Sequence, residues 1–264
     1  MSDWPNELFE NHPAFQPIRA HLSRFSAPPS YQDWAATPVV AHSASGAPIR
    51  FVPSEQISEY YELAIYQHGL VATRLNWHDT FNAMIWHAFP LSKSALNAMH
   101  QRIIAADPSS KARGPRRDAA TLFDECGFIL PYCDEQLLDY LIAHEWTELF
   151  VDQAAAWGKR ISAFSFGHAN FEHLLAPFIG LTGKCWPVKV QADFFQRDTA
   201  SQCQELDQTL SSLINDNCLQ QPRQLPALPY LGIPGWYPQQ NASFYENHQY
   251  FRKKRNHSPN DHMT

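Results

Sequence analysis

With histidine counted as neutral, residues 77–89, "WHDTFNAMIWHAF", hold a single charged side chain, Asp79. Trp77, Phe81, Met84, Ile85 and Ala88 recur at helical spacing and make one apolar stripe. With so little charge the helix has hardly any face suited to water, so the rest of the chain has to be built around it. Pro90 breaks the pattern, and a second helix follows with Leu96, Met99 and Ile103 on its apolar side. Seven polar or charged residues interrupt this apolar pair: Arg74, His78, Asp79, Asn82, Lys93, Asn97 and His100. An unpartnered charge in a core costs on the order of several kcal/mol, so something has to collect these groups. A structural polar network, a metal and a substrate are the three possibilities.

Local chemistry narrows them. Asn76 is suited to cap the first helix, which places Asp79 in the first turn, where free N–H groups and the positive dipole end accept a carboxylate. The same field disfavours imidazolium at His78 and keeps the ring neutral, the state of a metal ligand or a general base. On the second helix Lys93, Asn97 and His100 fall at i, i+4, i+7 and form one polar row.

"RGPRRDAATLFDECG" predicts a helix from about Pro115 to Gly127. Asp118 suits its first turn. Asp124 and Glu125 sit in the last turn, where acids oppose the dipole by about 0.3–1 kcal/mol, and they need a cation nearby. "FGHANFEHLLAPF" places His168 at a helix start and Glu172 one turn later, a pattern that any amphipathic helix can also contain.

Elsewhere, "PAFQPIRAHLSRF" predicts a short helix, and "SEQISEYYELAIYQHG" another with Ser54 as N-cap and Gly69 as its stop. "DEQLLDYLIAHEWTELFVDQAAAWG" predicts one long amphipathic helix, with His144 on its surface. "RISAFSF" and "PVKVQADFF" alternate like short strands, and "SQCQELDQTLSSLIND" predicts a last helix. The expected fold is mainly α with minor β (α+β): one globular domain over 1–250 with an irregular proline- and aromatic-rich C-terminal segment, then a basic tail over 251–264.

The chain has 264 residues, 44% of them hydrophobic and 13% aromatic, which is ample for one large core. A net charge of −6 argues against a chain-wide nucleic-acid surface. Five cysteines without CxxC spacing fit a reducing compartment. No secretory pattern opens the sequence and no apolar run reaches membrane-spanning length, so a cytoplasmic protein without membrane association is expected. There is no GxGxxG, Walker, GxSxG or HExxH motif.

In this order and spacing, "TRLNWHDTFNAMIWHAFPLSKSALNAMH", "RRDAATLFDECG", "FGHANFEHLLAPFIGLT" and "LPYLGIPGWYP" resemble the bacterial domain-of-unknown-function family numbered 3025, over roughly residues 20–255. Matching positions include Arg74, His78, Asp79, Lys93, His100, Asp124, Glu125 and His168; the resemblance implies no particular activity. A weaker similarity to the HD phosphohydrolases would make His78–Asp79 a metal-binding doublet, with His68 upstream and Asp118 or Asp124 downstream.

Two functions from different classes accommodate these residues. One is a metal-dependent hydrolase acting on an anionic or phosphorylated small molecule. It would use His78, His100, His168, Asp118 and Asp124 as ligands to one zinc, manganese or iron ion, and Glu125 or Glu172 as base or ligand-orienting group. Arg74, Asn82, Lys93, Asn97 and Arg117 would hold the substrate. A non-haem iron oxygenase is a variant of this reading. The other is a binding or adaptor protein, with a protein or RNA partner, in which the polar cluster is structural.

Overall fold

The computed structural model describes residues 4–106 and 114–254. At its centre lie the two helices on either side of Pro90, α5 (Trp77–Ala88) and α6 (Pro90–Ala106). Asn76 caps α5 through its side-chain oxygen, which accepts from the Asp79 N–H. Phe81, Met84, Ile85, Leu96 and Met99 are buried, and Trp77 and Ile103 pack at the edge of the same core. The start of α6 is capped from another helix, α10 (Thr199–Asn215). The buried Asp207 carboxylate accepts from the Leu91 and Ser92 N–H groups at 3.0 and 2.8 Å. It thereby satisfies donors that every helix start leaves free.

Ahead of this pair come α1 (Asn6–Asn11), α2 (Arg19–Leu22), α3 (Tyr31–Ala36), strand β1 (Arg50–Pro53), α4 (Tyr61–His68) and β2 (Leu70–Thr73). Strands β1 and β2 form a two-stranded parallel sheet. Gly69 ends α4 in the left-handed conformation (φ 67°), as its position predicts. Ser54, expected as the N-cap, instead opens a separate 3-10 turn, and α4 starts after Tyr60. The helix expected over "PAFQPIRAHLSRF" is divided into a 3-10 turn (Pro13–Phe15) and α2, with Pro17 between them.

After α6, helix α7 (Gly114–Cys126) passes without a loop into strand β3 (Gly127–Tyr132). All six residues of β3 are buried. It pairs in parallel with β5 (Gly183–Lys189), from Gly127 opposite Lys184 to Tyr132 opposite Lys189. Two short antiparallel strands, β4 (Phe164–Ser165) and β6 (Ala227–Leu228), complete a sheet of order β4-β3-β5-β6. The crossover between β3 and β5 carries α8 (Glu135–Ala143) and α9 (His168–Leu174). The strand expected over "RISAFSF" shrinks to β4. That over "PVKVQADFF" lies further upstream as β5, with Ala192–Gln196 a 3-10 turn.

The long helix expected over 134–158 does not form. It stops at His144, which adopts a left-handed conformation (φ 61°) while the Glu145 N–H returns to the Tyr140 carbonyl. A π-helical turn (Glu148–Asp152) and a 3-10 turn (Ala154–Ala156) follow. The break turns Trp146 inward, where its indole N–H donates to the Arg252 carbonyl at 2.8 Å. His144 is therefore no free surface residue: its ring stacks on Trp146 and its Nδ1 lies 3.2 Å from the same carbonyl.

Tyr230, Leu231, Ile233, Trp236, Phe244, Tyr250 and Phe251 are buried, so the proline- and aromatic-rich segment, including α11 (Ala242–Tyr245), belongs to the core. The boundary expected at residue 250 thus falls too early, because Phe251 packs against Phe150 and Phe244. The rest of the expected tail, from 255, lies outside the described residues. Among the described residues no helix is long and apolar enough to cross a membrane.

Phe81 is fully buried and stacks on both Trp77 and Phe171. Phe81→Ala should destabilise the fold by about 3–5 kcal/mol in urea denaturation; a near-neutral effect would contradict this packing.

Candidate metal centre

Helix α9 packs across α5 and α7, and the contact is set by two glycines. The Gly127 carbonyl accepts from the Phe166 and Gly167 N–H groups at 3.0 and 2.8 Å and from the Asn170 side chain at 3.1 Å. A Cβ on Gly167 would lie 2.4–2.5 Å from the Gly127 N, the Cys126 N and the Glu125 carbonyl oxygen. Only a glycine admits this approach. It brings the first residue of α9, His168, beside the last turn of α7, where Glu125 sits.

The His168 and His78 Nε2 atoms lie 2.9 Å apart. Glu125 Oε2 is 3.4 Å from the first and 3.8 Å from the second. The point equidistant from these three atoms is about 2.0 Å from each, close to the ~2.0–2.2 Å of zinc–nitrogen and zinc–oxygen bonds. Among the described residues this is the one group of three such donors close enough to hold an ion.

Behind His78, its Nδ1 lies 3.1 Å from Glu172 Oε2. An ionised carboxylate can only accept, so in the neutral ring Nδ1 carries the proton and Nε2 turns its lone pair toward the triad. Glu172 thus orients His78, as carboxylates behind metal-bound histidines do. The H-x-x-x-E spacing on α9 delivers both His168 and this orienting group.

Burial holds His168 neutral, pushing its pKa down to about 3 although Asp124 opposes the shift. Its Nδ1 is buried without a hydrogen-bond partner. Burial, reinforced by the neighbouring Asp124, pushes the Glu125 carboxyl above its usual range despite His78 and Lys93. Among the described residues no lysine or arginine pairs with the triad's carboxyl.

It opens on a cavity of about 490 Å³, also lined by Tyr60, Tyr61, Glu62, Arg74, Arg117 and Thr121. The other expected site residues divide into three groups. Asp79, Asn82, His100 and Asp124 line the same cavity but stand outside the triad. Asp79 accepts from the Arg74 backbone N–H, Nε and Nη2 at 2.7–2.9 Å, which holds its carboxyl low in spite of burial. That engagement, and His68 lying exposed at the end of α4 near Glu59, removes the HD-type arrangement. Asp124, expected as a ligand, receives the buried Lys93 ammonium at 2.5 Å, and Lys93 also donates to Asn82 at 2.9 Å. The Asn82 amide in turn donates to the Tyr61 hydroxyl at 3.1 Å.

Lys93 and Asn97, expected to hold substrate, lie behind the cavity wall. Asn97 donates to the Glu62 carboxylate at 2.6 Å and to its backbone carbonyl at 2.9 Å. Asp118 is exposed and does not line the cavity. It shares Glu125's side of α7 but stands two turns, about 10 Å, away along the axis. Tyr60, Tyr61 and Glu62 carry no signal in the sequence beyond their place at the start of α4.

The pattern of a family described as "Protein of unknown function (DUF3025)" matches residues 49–255. The chain belongs to that family. The match spans β1 through the buried C-terminal segment and includes every residue of the triad. Comparison with curated proteins and with solved structures found no match.

Two outcomes follow. Gly167→Ala should cost about 1–3 kcal/mol or more, because the clashing atoms are backbone; urea denaturation matching the parent would show that the approach is not tight. The second concerns pH. His168 takes up a proton near its ordinary 6.5 in the unfolded chain but only at about 3 in the folded protein. Protonation therefore favours unfolding, and its contribution to stability, intact above pH 6.5, is lost as the pH falls toward 3. Melting temperatures of the metal-free protein should fall over this range, and less steeply in His168→Gln; parallel profiles would contradict the neutral buried ring.

Proposed function

We propose that the chain is a divalent-metal-dependent hydrolase acting on an anionic small molecule, with phosphorylated compounds as the leading class. One observation carries the reading. Three donor atoms are spaced for a single ion at the wall of an open cavity, and a carboxylate orients one of them. Two nitrogens and one carboxylate suit zinc, manganese or iron and leave coordination positions free for water and substrate. Such an ion supplies an activated water and polarises the scissile group.

The chain's own residues do the rest. His78, His168 and Glu125 hold the centre, and Glu172 keeps the His78 tautomer in place. Lys93 and Asn82 fix Asp124 so that it neither competes for the ion nor repels it. Arg117 draws the anionic group into the cavity. His100 lines the same cavity and would stand beside a substrate held there. Glu125 and Glu172, the two expected bases, are both engaged with the histidines.

The same donor set also serves non-haem iron oxygenases. Iron content together with substrate-linked oxygen consumption would favour that second reading over zinc or manganese with hydrolysis.

Elemental analysis of natively purified protein should find about one divalent ion per chain. Glu125→Gln and His168→Gln should lose the ion, and Glu172→Gln should weaken its binding about 10–100-fold. Hydrolysis of an aryl phosphate should follow metal content. A metal-free protein whose melting temperature ignores added zinc, manganese and iron would remove this reading and favour a binding protein with a structural polar network.

A further inference from the structure

Arg117, Thr121 and Glu125 follow one another at single-turn intervals along α7, and all three line the cavity. At 1.5 Å per residue the first and last Cα atoms are about 12 Å apart. Side chains on a helix lean together toward its N-terminus, so this separation is not closed by a common tilt.

Arg117 is also the cavity's uncommitted cation. Arg74 is bound to Asp79 and Lys93 to Asp124, whereas Arg117 has no carboxylate partner among the described residues. Its guanidinium lies over the Tyr60 ring, 5.7 Å from the centroid, and its Nη2 donates to the Tyr60 hydroxyl. Its Nε is buried without a hydrogen-bond partner. Tyr60 thus holds one edge of the fork, and the Nη groups have no carboxylate partner among the described residues. The cavity therefore has two ends, an anion anchor and a metal-capable triad, with the Thr121 hydroxyl between them. Its volume suits a small molecule that reaches both.

We propose that the substrate is an elongated small molecule with two polar ends: a carboxylate or phosphate held by Arg117, and a separate reacting group presented to the triad. The roughly 12 Å between the Arg117 and Glu125 Cα atoms favours a molecule longer than a single compact anion. The inference rests on the metal-centre reading and deepens it, because the anion that gives affinity is not the group that reacts.

The test uses the zinc-loaded full chain and calorimetric titration with α,ω-dicarboxylates from malonate to sebacate, beside monocarboxylates of matched length. Zinc stoichiometry is measured first. Long dicarboxylates should bind about tenfold or more tightly than matched monocarboxylates, and short ones should show no such gain. Arg117→Met should abolish the gain without changing zinc stoichiometry, and Arg117→Lys should retain part of it. A dicarboxylate affinity independent of length, or an equal loss for short monocarboxylates in Arg117→Met, would overturn the two-ended site and leave the metal centre standing. Failure of the parent protein to bind zinc would overturn the metal reading, and this inference with it.

Discussion

The site depends on one close backbone contact, the approach of Gly167 to the junction between α7 and β3. An α-helix running straight into a buried strand exposes its last turn on one side only. Here that turn carries Asp124 and Glu125. The Gly127 carbonyl draws the start of α9 onto it through three N–H donors. A side chain at residue 167 would push α9 outward, and His168 would leave Glu125. The glycine thus acts at a distance from the chemistry, by setting how near two helix ends come.

The buried Lys93–Asp124 pair does a second kind of work. Burying two charges brings a desolvation cost that the pair's attraction need not exceed, so it is weak evidence for added stability. Its effect here is positional. It ties α6 to α7, and through Asn82 it ties both to α5, the three helices that carry or support the triad's surroundings. Lys93 also removes Asp124 from the set of free carboxylates, leaving Glu125 as the acid that meets the histidines.

Much of this was legible in the sequence, for physical reasons that can be named. The apolar stripe of Trp77–Ala88, the break at Pro90, and the ends of α7 all follow from short-range rules, and the structure reproduces them. The two acids in the last turn of α7 announced a missing cation: Lys93 supplies it for Asp124, whereas Glu125 meets two histidines. The choice between them was not legible, since it depends on which face of α7 meets α6 and which meets α9. His100 shares a polar row with Lys93 and Asn97, and from sequence alone it stands equal to His78; only the placement of α9 shows that His168, not His100, completes the group. Strand β3 escaped because a fully buried strand lacks alternation and reads as a short apolar run. The break at His144 escaped because it depends on Trp146 reaching the carbonyl of Arg252, more than a hundred residues away.

A structural polar network and a metal centre predict different charge balances, and that difference favours the metal. In a structural network each buried charge has its counterpart, as Lys93 has Asp124 and Arg74 has Asp79. Glu125 faces two imidazoles, of which burial holds His168 neutral, and no lysine or arginine pairs with it among the described residues. Four carboxylates line the cavity, Glu62, Asp79, Asp124 and Glu125, against two guanidinium groups, Arg74 and Arg117. Even with Lys93 behind the wall the negative charge is in excess, and Glu172 adds to it. The two Nε2 atoms lie 2.9 Å apart, one ring donating to the other, and a divalent ion would take the place of that proton while matching the negative charge around it. Acids set against their own helix dipole break a local rule, and such violations mark functional sites when the surrounding structure holds them in place. Here the glycine contact, Glu172 and the Lys93 network hold them.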